Sequence, residues 1–546
     1  MFLGFGLFAL LGLGIYQDYG ISWDEVYHRY MGGVSAFYVN EIAGVIPVAD
    51  VLSFGQGAAT GFEKRPPSLE EFIYKDYGVF FEMILAGGEY LLGLTDVQEV
   101  YRFRHLMTFG VFFSGVVFLY LLALRLFRSH VLAIAGCLML VAAPRLFAHG
   151  FYDLKDIAPV TLAITSIYTL VGLLEKKAIS QAILHALSVA LFIDTRVIGI
   201  FFPLITIFFL SVEAAVDYWR SRLWRKEITL LGVFLFFLLF FVYLFWPYLW
   251  EDPISRFWGA VSNMGRYGGE NDYDVAMAYF GKFIWASNVP WHYLPVWIGI
   301  TTPIGYLILI VVGAGFAAAP ILRRPLAIVE SPQNRICAVL LLTAFGPIIA
   351  VIAVGSTLLD GWRHMYFCYP PMVMLALYGL KALLISPLQR GPKSVAFILR
   401  YGPPSILIVS IGLTVVNMYQ NHPHQYAYFN GLAGSDVARN WELDYWGSSF
   451  KQGLEYIAVT DDRDQLSVSV SSFPGIANLK MLDVNDRERF LIVDEDRADY
   501  FLSNYRFKKE YERFHSGEAP YDKEVYSIKV KTLLDEFKIM GIYKLR

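Results

Sequence analysis

Eleven runs of roughly twenty apolar residues punctuate the chain, near 1–17, 104–124, 131–148, 157–174, 180–193, 197–216, 228–249, 293–318, 336–357, 364–385 and 402–419. A run of that length matches the thickness of a bilayer's hydrocarbon core as a helix, and inside lipid a helix satisfies its own backbone polar groups. The composition agrees, with 56% hydrophobic and 17% charged residues, a balance that a soluble domain of 546 residues does not reach. The expected fold class is therefore a polytopic α-helical membrane protein with about eleven transmembrane helices. The first run lacks a basic n-region and a small-residue cleavage site, so it reads as an uncleaved, slightly short first span.

Loop charges orient the bundle. With the amino terminus inside, the cytoplasmic loops carry Arg125 and Arg128, Lys176 and Lys177, Arg220 to Lys226, Arg323 to Arg335, and Lys381 to Arg400. Each of the five is basic, as short cytoplasmic loops tend to be. The stretch Tyr77 to Leu94 is apolar but carries Glu82, Glu89 and Gly87-Gly88, so it reads as an interfacial helix. If it spanned, every later loop would flip. The first loop (18–103) and the tail after 419 then share the extracytoplasmic side. Segments such as 466–472, 490–493 and 524–530 alternate in polarity between charged turns, so residues 420–546 read as a small extracytoplasmic α/β domain following a transmembrane body of residues 1–419.

A net charge of −3 gives no electrostatic case for a nucleic-acid partner. The three cysteines, Cys137, Cys337 and Cys368, sit singly in apolar runs and cannot form a disulfide framework or a zinc site. There is no Walker loop, HExxH, paired CxxC or GxSxG motif. Asp272-Tyr-Asp274 and Asp494-Glu-Asp496 match a three-residue metal-site pattern that arises readily by chance.

The informative polar residues gather at the outer ends of spans, where charge is costly and marks function. After the first span come Asp18, Asp24 and Glu25; between the third and fourth lie Arg145, His149, Asp153, Lys155 and Asp156. Asp194 and Arg196 follow the fifth span, and Asp360, Arg363 and His364 follow the ninth. The plainer readings are a solvated turn with Asp153 or Asp156 capping the next helix, and an Asp194–Arg196 pair with no other role. The functional reading is an anion site beside a base. A carboxylate opposed by two arginines suits transfer of a group from a lipid phosphate to a hydroxyl: the acid takes the acceptor proton and the cations offset charge on the departing phosphate.

At these residues the chain resembles the C-type glycosyltransferases that use polyprenyl-phosphate sugars, in the branch holding the protein O-mannosyltransferases and the aminoarabinose transferase of lipid A. The resemblance rests on Trp23-Asp-Glu25, on the run from Pro144 to Asp156, on Trp362 to Pro371, and on His422 to Asn430 followed by Glu442 to Gly447. It implies an inverting transferase of the cell envelope, in a bacterial inner membrane with its site on the extracytoplasmic side, that takes one sugar from an undecaprenyl- or dolichyl-phosphate carrier. Its partners would be that donor, a lipid, glycan or protein acceptor, and membrane lipids. By the same resemblance Asp24 is the base, with Glu25 and Asp156 orienting sugar hydroxyls, and Arg196, Arg363 and His364 face the donor phosphate. Lys155, His149, Tyr426 and Asn430 are further substrate contacts. No motif demands a cofactor; a divalent cation, held by His149 and Asp153, is the one candidate. The rival readings are an oligosaccharide ligase or polymerase using a lipid-pyrophosphate donor and a polytopic transporter.

Overall fold

A computed structural model describes residues 1–44, 66–220, 225–265, 275–385 and 392–546. Asp272 to Asp274 lie outside the described residues. Among the described residues, eight helices are long and apolar enough to cross a membrane, a ninth results if one bent pair counts as a single span, and two shorter apolar helices complete the set. Each of the eleven apolar runs has its helix.

The helices used below are α1 (Phe2–Ile15), α2 (Glu25–Ala43), α3 (Phe80–Leu92), α4 (Val97–Phe127), α5 (His130–Val141), α6 (Pro144–Tyr152), α7 (Leu154–Lys176), α8 (Ile179–Thr195), α9 (Phe201–Trp219) and α10 (Arg225–Phe245). They continue with α11 (Tyr293–Thr301), α12 (Ile304–Arg323), α13 (Pro332–Val354), α14 (Tyr369–Leu384) and α15 (Lys393–Gln420). Helix α7 is the axis of the bundle, packed against α4, α8 and the segment Arg363–Cys368, whereas α15 presents most of its apolar surface outward.

Two of the apolar runs are broken, each by a proline. Pro144 lacks an N–H and pushes Ala143 to an extended conformation (φ −97°, ψ 102°), so α5 and α6 meet at 71°. The segment expected as a short loop at 149–156 is in fact the end of a helix whose nine residues are all buried, followed by a single break at Asp153, which caps the next helix. Likewise Thr302 is extended ahead of Pro303, splitting the run 293–318 into α11 and α12.

Helix α3 is tied down by charge. Arg104 Nη1 meets Glu82 at 2.8 Å, its Nε donates to Glu89, and Arg29 Nε reaches Glu89 at 2.9 Å, all of them buried. The two acids that keep Tyr77 to Leu94 from reading as a span therefore dock α3 on α2 and α4. Asp194 does not pair with Arg196: its Oδ2 accepts from the Phe80 backbone N–H at 2.9 Å at the start of α3. Gly78 is required there, because a Cβ would sit 1.1 Å from the Asp194 carbonyl oxygen.

Outside the bundle, a hairpin of β1 (Ala276–Tyr279) and β2 (Lys282–Trp285) bridges to Trp441. The tail forms a five-stranded sheet of β3 (Leu466–Val470), β4 (Phe490–Ile492), β5 (Tyr500–Ser503), β6 (Glu524–Lys531) and β7 (Glu536–Lys544), in the order β4-β3-β5-β7-β6. Strand β3 runs parallel to β4 and β5, while β7 is antiparallel to β5 and β6. Helix α16 (Ser449–Thr460) covers β6 and β7, α17 (Phe473–Leu479) packs on α16 and β3, and α18 (Lys508–Ser516) links β5 to β6. Of these strands, β3, β4 and β6 coincide with the alternating segments of the sequence.

The Arg104 network yields a stability prediction. Arg104→Met leaves Glu82 and Glu89 buried with one partner fewer, and removing one member of a buried pair costs about 3–5 kcal/mol. Thermal unfolding in detergent should show Arg104→Met far less stable than the wild type, with Glu82→Gln/Arg104→Met partly restored.

Candidate active site

Three breaks in the bundle and one segment of the tail converge on a single guanidinium. Arg363 follows Asp360 and Gly361, both with left-handed backbone (φ 56° and 78°), a turn that an Asp-Gly pair tolerates. From that turn Arg363 Nη1 reaches Asp24 Oδ2 at 3.0 Å and Asp156 Oδ2 at 3.6 Å, and its Nη2 reaches Asp360 Oδ2 at 3.2 Å. Its planar face lies over the Trp446 indole, 4.7 Å from the ring centroid. Asp360 is shared with the tail, since Arg506 Nη2 donates to it at 3.0 Å while Nη1 donates to the Tyr445 carbonyl.

Asp156, in the first turn of α7, is the second node. Arg196 pairs with its Oδ1 and donates from Nε to the Lys155 carbonyl at 2.9 Å; His149 Nδ1 lies 3.3 Å from its Oδ2. Asp153 caps α7, its Oδ1 accepting from the Asp156 N–H at 3.2 Å. Burial and the neighbouring Asp156 hold the Asp153 carboxyl well above the usual range. Lys155 is buried and, among the described residues, pairs with no carboxylate; its Nζ lies 3.6 Å from Met31 Sδ and 4.6 Å from the Tyr77 ring centroid. His364 is half-buried and makes no side-chain hydrogen bond among the described residues, within electrostatic range of Arg363, Arg196 and Asp156.

Accessibility separates the acids. The side chain of Asp24 is 26% exposed, that of Asp360 5%, and that of Asp156 is fully buried. Burial raises the Asp24 pKa above the ordinary carboxylate value, and Arg363 pulls against that rise. Glu25 is turned away from this group: it accepts from the Ser22 N–H at 2.6 Å and meets His105 Nε2 at 2.9 Å, which fixes the start of α2.

Tyr426 and Asn430 also have their polar atoms engaged by protein. The Tyr426 hydroxyl donates to Asp444 Oδ1 at 2.7 Å, and the Asn430 amide donates to the Gly299 and Thr302 carbonyls at 2.7 and 2.5 Å. Asn430 thus satisfies carbonyls left open where α11 ends. Arg145 donates to the Tyr428 carbonyl at 3.1 Å beneath Trp297 and Phe429. These residues seat the hinge of the tail on the bundle. Sequence reasoning assigns no role to three participants, of which Trp446 lies in the quoted stretch Glu442 to Gly447. His28 stands one helical turn after Asp24, and burial with the nearby Lys155 holds its pKa well below the usual histidine value; the i, i+4 spacing from Asp24 was its only signal. Trp446 and Arg506 come from the tail, and nothing local to either marks its partner.

His149 Nδ1, Asp153 Oδ2 and Asp156 Oδ2 are buried and lie within 4.8 Å of one another, an arrangement compatible with a divalent cation. The donor chemistry divides the three. The Trp446 indole can only donate, and it donates to His149 Nε2 at 3.0 Å. That leaves the neutral imidazole with its proton on Nδ1, facing the carboxylates as a donor. Asp153 and Asp156 fit a hard cation that takes oxygen ligands; the imidazole in this tautomer does not.

No family model matches the chain, and no curated protein does. Among solved structures, the crystal structure of ArnT from Cupriavidus metallidurans bound to undecaprenyl phosphate is similar over 98% of this chain and 97% of its own, at 14% identity and a TM-score of 0.44. The apo oligosaccharyltransferase of Archaeoglobus fulgidus is similar over 91% of this chain and 64% of its own, at 11% identity and a TM-score of 0.44.

The tautomer is open to test. X-ray absorption of the purified protein loaded with Mn2+ should show a shell of oxygen ligands without the outer-shell scattering of imidazole. An imidazole signature that His149→Gln removes would contradict the assignment of the Nδ1 proton.

Proposed function

We propose that this chain is an integral membrane glycosyltransferase that moves one sugar from a polyprenyl-phosphate carrier to a hydroxyl acceptor at the extracytoplasmic face, with Asp24 as the general base. The observation that carries the reading is the difference in exposure: of the carboxylates around Arg363, Asp24 is the one that an acceptor can reach. The resemblance of the motifs to the polyprenyl-phosphate-dependent enzymes supports the same donor class. The basic loops at the opposite ends of the spans support an extracytoplasmic placement.

In this mechanism Asp24 accepts the proton of the acceptor hydroxyl as its oxygen attacks the anomeric carbon. The bond from that carbon to the phosphate oxygen breaks, and the polyprenyl phosphate leaves with the electron pair. A single displacement inverts the anomeric centre. The departing phosphate gains negative charge, which the partly exposed Arg196 and Lys155, which makes no contact ion pair among the described residues, offset, and fixed cations of this kind need no reorganisation as the charge develops. His364 faces the same phosphate. Arg363 positions Asp24 and favours its ionised form against the effect of burial; Asp156 in turn holds Arg196. A cation on Asp153 and Asp156 would supply further charge beside the phosphate. Transport is disfavoured because the candidate site lies at the ends of the spans, where α6 meets α7, while secondary transporters bind near the midplane.

Purified protein in nanodiscs, given a panel of radiolabelled polyprenyl-phosphate sugars, should turn over one of them. Asp24→Asn should bind that donor and lose turnover by about 10²-fold or more. Binding of no lipid-phosphate sugar by either protein would overturn the donor class.

The pH profile supplies a second prediction. A base works when deprotonated, so activity should rise with pH through an Asp24 pKa above that of a free aspartate. Arg363 favours the deprotonated form, so in Arg363→Gln the acidic limb of kcat/KM should move to higher pH. A limb that stays in place or moves to lower pH would contradict the coupling of the two groups.

A further inference from the structure

The hairpin of β6 and β7 turns at Thr532-Leu-Leu-Asp535, and both leucines of the turn are exposed, Leu533 by 76% and Leu534 by 61%. Hydrogen bonds fix the turn around them. The Thr532 N–H donates to the Asp535 carbonyl at 2.8 Å, and the Asp535 N–H donates to Thr532 Oγ1 at 2.8 Å. Asp535 is the one acid of the turn and it faces the protein, its Oδ2 accepting from the Val437 N–H at 3.0 Å. No charge of the turn therefore accompanies the leucines outward, and two adjacent leucines held in water at a hairpin tip leave apolar surface that burial would stabilise.

The position of the tip determines what covers it. Strand β6 docks on the end of α15: Asn417 and Asn421 donate from Nδ2 to the Lys531 carbonyl at 2.7 and 2.8 Å, and the Lys531 N–H donates back to Asn421 Oδ1 at 2.8 Å. Most of α15 is turned outward, and Tyr419, between the two asparagines, is exposed with it, an aromatic at the level where a span leaves the hydrocarbon. Leu534 lies beside the start of a second span. A Cβ on Gly431 would sit 3.5 Å from Leu534 Cδ1 and 3.9 Å from Ile304 Cδ1, and Ile304 opens α12. Ile304 is exposed, as is Leu432 next to that glycine. The leucine tip thus continues the outward apolar surface of α12 and α15 onto the tail.

We propose that the β6–β7 hairpin dips its leucine tip into the acyl chains of the leaflet on the tail side, a membrane anchor for the tail additional to its covalent link through α15. Lys531, exposed at the base of the tip with its ammonium 3.6 Å from Glu536, stands at the level of the lipid headgroups. The anchor bears on the candidate site through the sheet, because β7 pairs with β5 and the chain runs from the end of β5 to Arg506 within three residues. Holding the sheet at a fixed depth holds Arg506 against Asp360. The anchor is independent of the reaction that the site performs.

Photolabelling of the wild-type, full-length protein tests the anchor. In nanodiscs of phosphatidylcholine carrying a diazirine within its acyl chain, irradiation followed by trypsin and mass spectrometry should place lipid adducts on the peptide Thr532–Lys538 as well as on α15. The peptide Phe490–Arg497, which holds β4 and its exposed Leu491 at the opposite edge of the sheet from β6, should carry none. Leu533→Ser/Leu534→Ser changes two exposed side chains and should lose most of the adducts at the tip while those on α15 persist. A tip free of adducts when α15 is labelled, equal labelling of the two tail peptides, or tip adducts unchanged in the double variant would each overturn the proposal. So would crosslinks joining Lys531 between copies in place of lipid adducts, which would make the tip a contact with a second copy of the chain.

Discussion

An arginine buried at the end of a helical bundle must be compensated, because an unpaired charge in a medium of low dielectric costs several kcal/mol. Arg363 meets that demand with three carboxylates drawn from three places far apart in the sequence: Asp24 at the start of α2, Asp156 in the first turn of α7, and Asp360 in its own turn. The surrounding geometry follows from that requirement. The sharp bend at Pro144 brings α6 across the end of the bundle, so that Asp153 and Asp156 face inward, and Arg506 extends the alternation of charge into the tail. Removing the tail would expose Asp360 and uncover the face of Arg363 that stacks on Trp446. Bundle and tail thus share one electrostatic unit, although their sequences differ in character.

The same unit explains why the acids around it differ in use. Asp156 is buried and neutralised by two arginines, a position suited to holding those arginines in place. Asp24 keeps one contact with Arg363 and some exposure, which leaves it both ionisable and reachable. Glu25, one residue on, points the opposite way and secures α2 through Ser22 and His105. Adjacent residues at a helix start project about 100° apart, enough to separate a chemical role from a structural one.

Much of the architecture was legible because lipid imposes a length rule that local sequence cannot hide. The eleven apolar runs each became helical, and the interfacial reading of Tyr77 to Leu94 agrees with a 13-residue α3 carrying paired acids. The breaks at Pro144 and Pro303 were missed because the apolar character runs on through the proline, and hydropathy reports burial without direction. In the tail, β3, β4 and β6 alternate cleanly, but β5, Tyr500 to Ser503, is buried on both faces and short, so it carries no period-two signal. In the candidate site, Asp24, Asp156, Arg196 and Arg363 stood out as charges at the ends of apolar runs, a local property. Tyr426 and Asn430 stood out only through a motif, and their polar atoms serve the hinge. The partners Trp446 and Arg506 are set by long-range packing that no local window contains.

In the proposed function a donor phosphate sits against Arg196 and Lys155, with Asp24 within reach of the acceptor. Electron cryo-microscopy of the Asp24→Asn protein in nanodiscs with its preferred polyprenyl-phosphate sugar tests this most directly. Density for the phosphate should contact Arg196 and Lys155, with the anomeric carbon facing position 24. A donor bound with its phosphate away from both cations, or with position 24 turned from the sugar, would contradict it.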